Sequence, residues 1–81
     1  MHNYELSSTL CEWLADGSSK TETRVTCYHS LDVALAAYMR ECKTAVDYVR
    51  DPAYICGDDY RGATVELVYV HDGSEVAKLD I

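Results

Sequence analysis

At 81 residues the chain has room for one domain, and a domain of that size buries little more than about 60% of its unfolded surface. Seven basic against fourteen acidic residues give a formal charge of −7, which repels phosphate backbones and argues against direct binding to DNA or RNA. An apolar content of 48% excludes a disordered chain, and no apolar run is long enough to span a bilayer.

The opening Met1-His2-Asn3-Tyr4-Glu5 has neither the basic nor the apolar segment of a secretion signal, so a cytoplasmic protein is expected. In that compartment Cys11, Cys27, Cys42 and Cys56 are expected as reduced thiols rather than as two disulfides.

Residues 4–15 alternate as a strand. Tyr4, Leu6, Leu10 and Leu14 form one face, Cys11 and Trp13 lie on the other, and Ser8 and Glu12 interrupt the apolar side as a bulge or imperfection would. Asp16-Gly17-Ser18-Ser19 reads as a turn. A second strand over about residues 21–29 alternates Val25 and Cys27 against Glu22, Arg24, Thr26 and Tyr28. A two-residue Asp-Gly turn and a four-residue Asp-Gly-Ser-Ser turn both place Val25 and Cys27 beside the leucines. The core side is then Tyr4, Leu6, Leu10, Leu14, Val25 and Cys27, with Cys11, Trp13 and Tyr28 outside.

Residues 30–51 carry the one long helical period. Leu31, Leu35, Tyr38, Cys42, Ala45 and Val49 recur at steps of three and four, and Ala34, Met39 and Val46 widen the face they form. Ser30 is a good N-cap, Asp32 places a negative charge in the first turn, and Pro52 ends the helix. The opposite face mixes Arg40, Lys43, Thr44, Asp47 and Arg50, as a solvated surface does. Residues 52–62 read as a loop with two glycines, two aspartates and two tyrosines.

Residues 63–70 form the most strand-prone run, and 74–81 return from a turn at His71-Asp72-Gly73. With Gly73 in the left-handed position of a three-residue loop, Val70 faces Ser74, Leu67 meets Ala77, Val65 meets Leu79 and Glu66 meets Lys78. The predicted fold is therefore α+β, a ββαββ chain with a four-stranded, mostly antiparallel sheet and one long helix on one face. A right-handed crossover favours the strand order 2-1-3-4, although 1-2-4-3 meets the same constraints.

Sites of chemistry are weakly indicated. The cysteines and histidines lack the short spacings of zinc motifs, and the glycines form no phosphate cradle, so neither metal nor cofactor is expected. Cys27 and Cys42 read as small core residues. Cys56 lies beside Asp58 and Asp59, which would raise rather than lower a thiol pKa, and only a tertiary contact could bring His71 or His29 to it. Asp58 and Asp59 are adjacent in an extended loop and point apart, which suits neither a shared proton nor a calcium loop.

What remains is surface. Trp13 and Tyr28, on the sheet face turned away from the helix, are residue types enriched at interaction hot spots. Asp47, Asp51, Asp58 and Asp59, interleaved with Tyr48, Tyr54 and Tyr60, suit Arg and Lys on a partner. The residues expected to bind a partner are Trp13, Tyr28, Asp47, Asp51, Tyr54, Asp58, Asp59 and Tyr60. Small size, acidity, a sheet-and-helix arrangement and the lack of a catalytic motif resemble the anti-CRISPR proteins of phages and mobile elements. That likeness of type carries over no individual residue. It implies a non-catalytic inhibitor, not an enzyme, that occupies a basic nucleic-acid-binding surface of a host defence complex such as a CRISPR effector. A homodimeric structural or regulatory module, joined through sheet edges or the Trp13 face, is the alternative reading. A small enzyme using Cys56 or His71 is a third.

Overall fold

Alternation in the strand segments and a 3.6-residue period between them produce two hairpins joined by a helix. The computed structural model describes residues 3–51 and 60–81. In chain order these form β1 (Tyr4–Trp13), β2 (Ser19–Tyr28), α1 (Leu31–Val49), β3 (Tyr60–Tyr69) and β4 (Ser74–Asp80). The strands make one antiparallel sheet in the order β2-β1-β3-β4, the arrangement expected of a right-handed crossover. Among the described residues no helix is long and apolar enough to cross a membrane.

Ser30 caps α1 as expected, its hydroxyl accepting from the Val33 N–H at 3.4 Å. The seat of the helix is narrower than its period suggests. Ala34, Ala37 and Ala45 are the helix residues that become fully buried, while Leu35, Tyr38, Cys42 and Val49 flank them half-buried. Met39, expected to widen the buried face, is 69% exposed instead, because the alanine stripe turns it to the solvent side. Alanines let the helix axis come close to Leu6, Ala63, Val65 and Leu67, the sheet residues of the core. Burial and a hydrogen bond with Cys42 push the Tyr38 phenol up to about 12.

The first hairpin overturns the expected faces of β2. Leu14 N–H donates to Ser18 C=O, Gly17 N–H donates to Leu14 C=O, and Gly17 takes φ 90°. The loop is therefore three residues, Ala15-Asp16-Gly17, an odd length where both expected turns were even. One residue of slip inverts a strand. Tyr28 pairs with Tyr4 and Thr26 with Leu6, so these side chains share the helix side, with Tyr28 half-buried against the core. Val25 and Cys27, expected inside, face outward, and Val25 is 52% exposed. Cys27 is thus no neighbour of Cys42.

The bulge expected in β1 is also absent: both of its registers run unbroken from Tyr4 to Trp13, with Ser8 simply buried on the helix side. The irregularity lies at the other hairpin. Leu67 meets Ala77, Val65 meets Leu79 and Glu66 meets Lys78 as expected. Beyond Leu67 the register shifts, so that Tyr69 rather than Val70 faces Ser74 and the turn spans residues 70–73. β3 also begins three residues earlier than expected, which takes Tyr60, Arg61 and Gly62 out of the loop.

Both hairpins turn on the same tripeptide, Asp16-Gly17-Ser18 and Asp72-Gly73-Ser74. In each, the aspartate carboxylate accepts from the serine backbone N–H, at 2.8 Å and 2.9 Å respectively. Hydrogen bonds from Ser18 and Ser74 hold both carboxyls below their ordinary 3.8. A carboxyl whose pKa is lower folded than unfolded contributes stability above its unfolded value and loses it as pH falls through its folded value. Thermal stability should accordingly decline as pH drops below about 4, and Asp16→Asn with Asp72→Asn should flatten that part of the profile, as followed by circular dichroism melts. The packing predicts a second contrast in urea titrations. Leu67→Ala should cost roughly 2–5 kcal/mol, whereas Val25→Ala should stay within about 0.5 kcal/mol because Val25 faces solvent.

Candidate functional site: the open sheet face

Strand alternation sends Glu5, Ser7, Thr9, Cys11 and Trp13 of β1 to the face opposite α1. Their cross-strand partners on that face are Cys27, Val25, Thr23, Thr21 and Ser19 of β2, and Val68, Glu66, Thr64, Gly62 and Tyr60 of β3. No described element covers them. The middle is laced by hydroxyl contacts, with Thr9 and Thr23 at 3.1 Å and Thr64 donating to the Asp80 carboxylate at 3.1 Å.

At one end Trp13 and Tyr60, directly opposite each other, stack with ring centroids 4.8 Å apart and planes 18° from parallel. Gly62 makes that placement possible. A Cβ there would lie 3.0 Å from Cζ3 of Trp13 and 3.2 Å from the Ile81 carbonyl oxygen, so the indole lies over bare backbone. Trp13 remains 37% exposed and Tyr60 61% exposed. At the other end Glu5, Ser7, Glu66, Val68 and Val70 line a shallow depression of about 210 Å³. Valine walls beside two carboxylates suit the methylene stem and charged head of a lysine or arginine.

The expected binding residues are thereby redistributed. Trp13 lies on the open face as predicted, and Tyr60, assigned to an acidic loop, joins it from β3. Tyr28, expected on that face, lies on the opposite one because of the odd turn. Asp47 is exposed in the last turn of α1, and Asp51 is half-buried just beyond it. Tyr54, Asp58 and Asp59, together with Cys56, lie outside the described residues. Sequence reasoning missed Glu5, Glu66 and Val68. They were legible only as unremarkable outer-face positions until the depression placed them together.

Tyr48 is half-buried. The Arg61 guanidinium carbon sits 4.2 Å over its ring, an Arg61 Nη1–H donates to the Tyr48 carbonyl at 3.1 Å, and Glu12 approaches Arg61 at 3.9 Å across the strands. Burial raises the Tyr48 phenol despite the opposing charge of Arg61. Helix α1 has no basic residue in its last turn, so Arg61 of β3 supplies the cation and donor its C-terminal carbonyls favour.

His71 Nε2 lies 2.8 Å from Asn3 Oδ1 and its ring packs at 5.2 Å from that of Tyr69. Asn3 also donates from Nδ2 to the His29 carbonyl, so it ties together the ends of both hairpins. Among the described residues no cluster of three or more His, Cys, Asp or Glu could hold a metal ion. The chain matches no protein-family model, and comparison with curated proteins and with solved structures yields no match.

The geometry at Gly62 makes a direct prediction. Gly62→Ala should push the indole off the strand and break the stack with Tyr60, giving a loss of near-ultraviolet circular dichroism and a shift in the emission of the one tryptophan, Trp13. An unchanged near-ultraviolet spectrum would show that Trp13 does not rest on that backbone.

Proposed function

We propose that the protein is a non-catalytic inhibitor that binds a basic protein surface of the kind that otherwise holds nucleic acid, with its open sheet face as the contact surface. The observation that carries this reading is the exposed Trp13–Tyr60 stack on a sheet face that no described element covers. Stacked aromatics on a flat face offer rigid contact area at little entropic cost, the usual make-up of an interaction hot spot. The depression between Glu5 and Glu66 supplies acidic contacts on the same face, and the charge of −7 steers the whole body toward a basic partner. Asp47, exposed in the last turn of α1, adds a further acidic group to the surface. The resemblance of type to anti-CRISPR proteins makes the nucleic-acid channel of a CRISPR effector the particular form of this reading.

The experiment is capture from host lysate on immobilised protein, with salt-step elution and mass-spectrometric identification, run beside the Trp13→Ala/Tyr60→Ala double variant. The reading expects a nucleic-acid-binding protein that elutes well below about 1 M salt and is retained at least roughly tenfold less by the variant. Retention that survives 1 M salt and is indifferent to the double substitution would contradict it.

A further inference from the structure

Strand β2 is an edge that carries charged side chains, Lys20, Glu22 and Arg24, but lacks the other usual protections. It pairs with β1 over ten consecutive residues with no bulge, contains no proline, and nine of its ten residues are exposed. The other edge, β4, is seven residues long and its pairing carries the register shift beyond Leu67. Bulges and short length are devices that keep edges from pairing, and β2 has neither.

The backbone of β2 is also set for a partner. Leu14 N–H donates to Ser18 C=O and Asn3 N–H to Tyr28 C=O, so the even-numbered residues direct their polar groups toward β1. Ser19, Thr21, Thr23, Val25 and Cys27 therefore direct their N–H and C=O groups outward, away from the sheet.

We propose that β2 is a self-complementary edge through which two copies of this chain pair antiparallel about a two-fold axis at Thr23, forming a continuous eight-stranded sheet. Charge and overlap together select the register: an axis at Thr21 also opposes Lys20 and Glu22, but it pairs only residues 19–23 of β2. With Thr23 opposite its own copy, Glu22 lies opposite Arg24 of the second copy and Arg24 opposite its Glu22, at non-hydrogen-bonded positions where side chains approach most closely. In the free chain Glu22 and Arg24 make only a long 3.9 Å pair, with side chains 73% and 70% exposed. Moving the axis to Glu22 sets two glutamates face to face and Lys20 against Arg24, and moving it to Arg24 opposes two arginines. The Thr23 axis pairs opposite charges while engaging nearly all of β2. Lys20 and Arg24 against Glu22 also make β2 locally cationic in a chain of net charge −7, so the edge is where two acidic bodies can approach. Both helices then lie on one side, and both Trp13–Tyr60 stacks lie on the other.

This pairing goes beyond the binding reading and stands or falls apart from it, since its readout is the mass of the protein alone. Sedimentation equilibrium of the wild-type chain should show a monomer–dimer equilibrium. Arg24→Glu and Glu22→Arg should each weaken it by roughly tenfold or more, because each opposes like charges twice across the axis. The double variant Glu22→Arg/Arg24→Glu should restore it. Far-ultraviolet circular dichroism verifies that each variant is folded, and both positions are solvent-facing. A wild-type chain that stays monomeric to about 1 mM overturns the proposal. So does a dimer indifferent to Arg24→Glu, a dimer tightened by Glu22→Arg as net-charge relief alone would produce, or a double variant no better than the singles.

Discussion

The structure depends on a mismatch of width: one helix, about 10 Å across, lies on a four-stranded sheet whose strands are spaced about 4.8 Å apart. It seats on β1 and β3 through Ala34, Ala37 and Ala45, and the core gathers there, around Leu6, Val65 and Leu67. Little is left over for β2, which stays exposed on nearly every residue. The opposite sheet face receives no cover from any described element. The exposed edge follows from that packing, and because the one helix lies on one face, the other is left open among the described residues.

Stability is accordingly concentrated. The largest fully buried side chains are Leu67 and Val65, both on β3, and Arg61 on the same strand secures the C-terminal turn of the helix through the Tyr48 carbonyl and ring. At the far end Asn3 accepts from Val70 N–H, donates to Tyr28 C=O and holds His29 and His71 through its side chain. Both hairpins are thus anchored to the central strand pair at the end away from Trp13. That leaves the Trp13–Tyr60 stack as an exposed feature on a well-held frame, which is the condition under which exposed aromatics act as a preformed contact.

Much of the architecture was legible in the sequence because it rests on periodicity. The helix and its Ser30 cap, the four strands and the inner pairs of the second hairpin follow from apolar spacing and from pairing Glu66 with Lys78, whereas the strand order was favoured by crossover handedness with 1-2-4-3 left open. The faces of β2 were not legible, since they turn on whether the Asp16-Gly17 loop has an odd or an even number of residues. Composition does not specify that number, and β2 has too few apolar residues to penalise the wrong answer. Tyr60 was misread as loop because Arg61 and Gly62 separate it from the strand-prone run, and its place in β3 shows only in the pairing of residues 60–62 with Cys11, Glu12 and Trp13. The open face itself was anticipated through Trp13. Its acidic depression was not, because Glu5 and Glu66 converge only through the β1–β3 register.

The parity of the first hairpin decides which residues face out on β2 and which of its amides are free, so it underlies the whole account. Residue-resolved hydrogen exchange, in the chain carrying Arg24→Glu to keep copies apart, reads it directly. The structure predicts an alternating pattern along β2: the amides of residues 22, 24 and 26 protected by β1, with those of residues 21, 23 and 25 exchanging freely. Protection of the odd-numbered amides in place of the even ones would contradict it and return Val25 and Cys27 to the core.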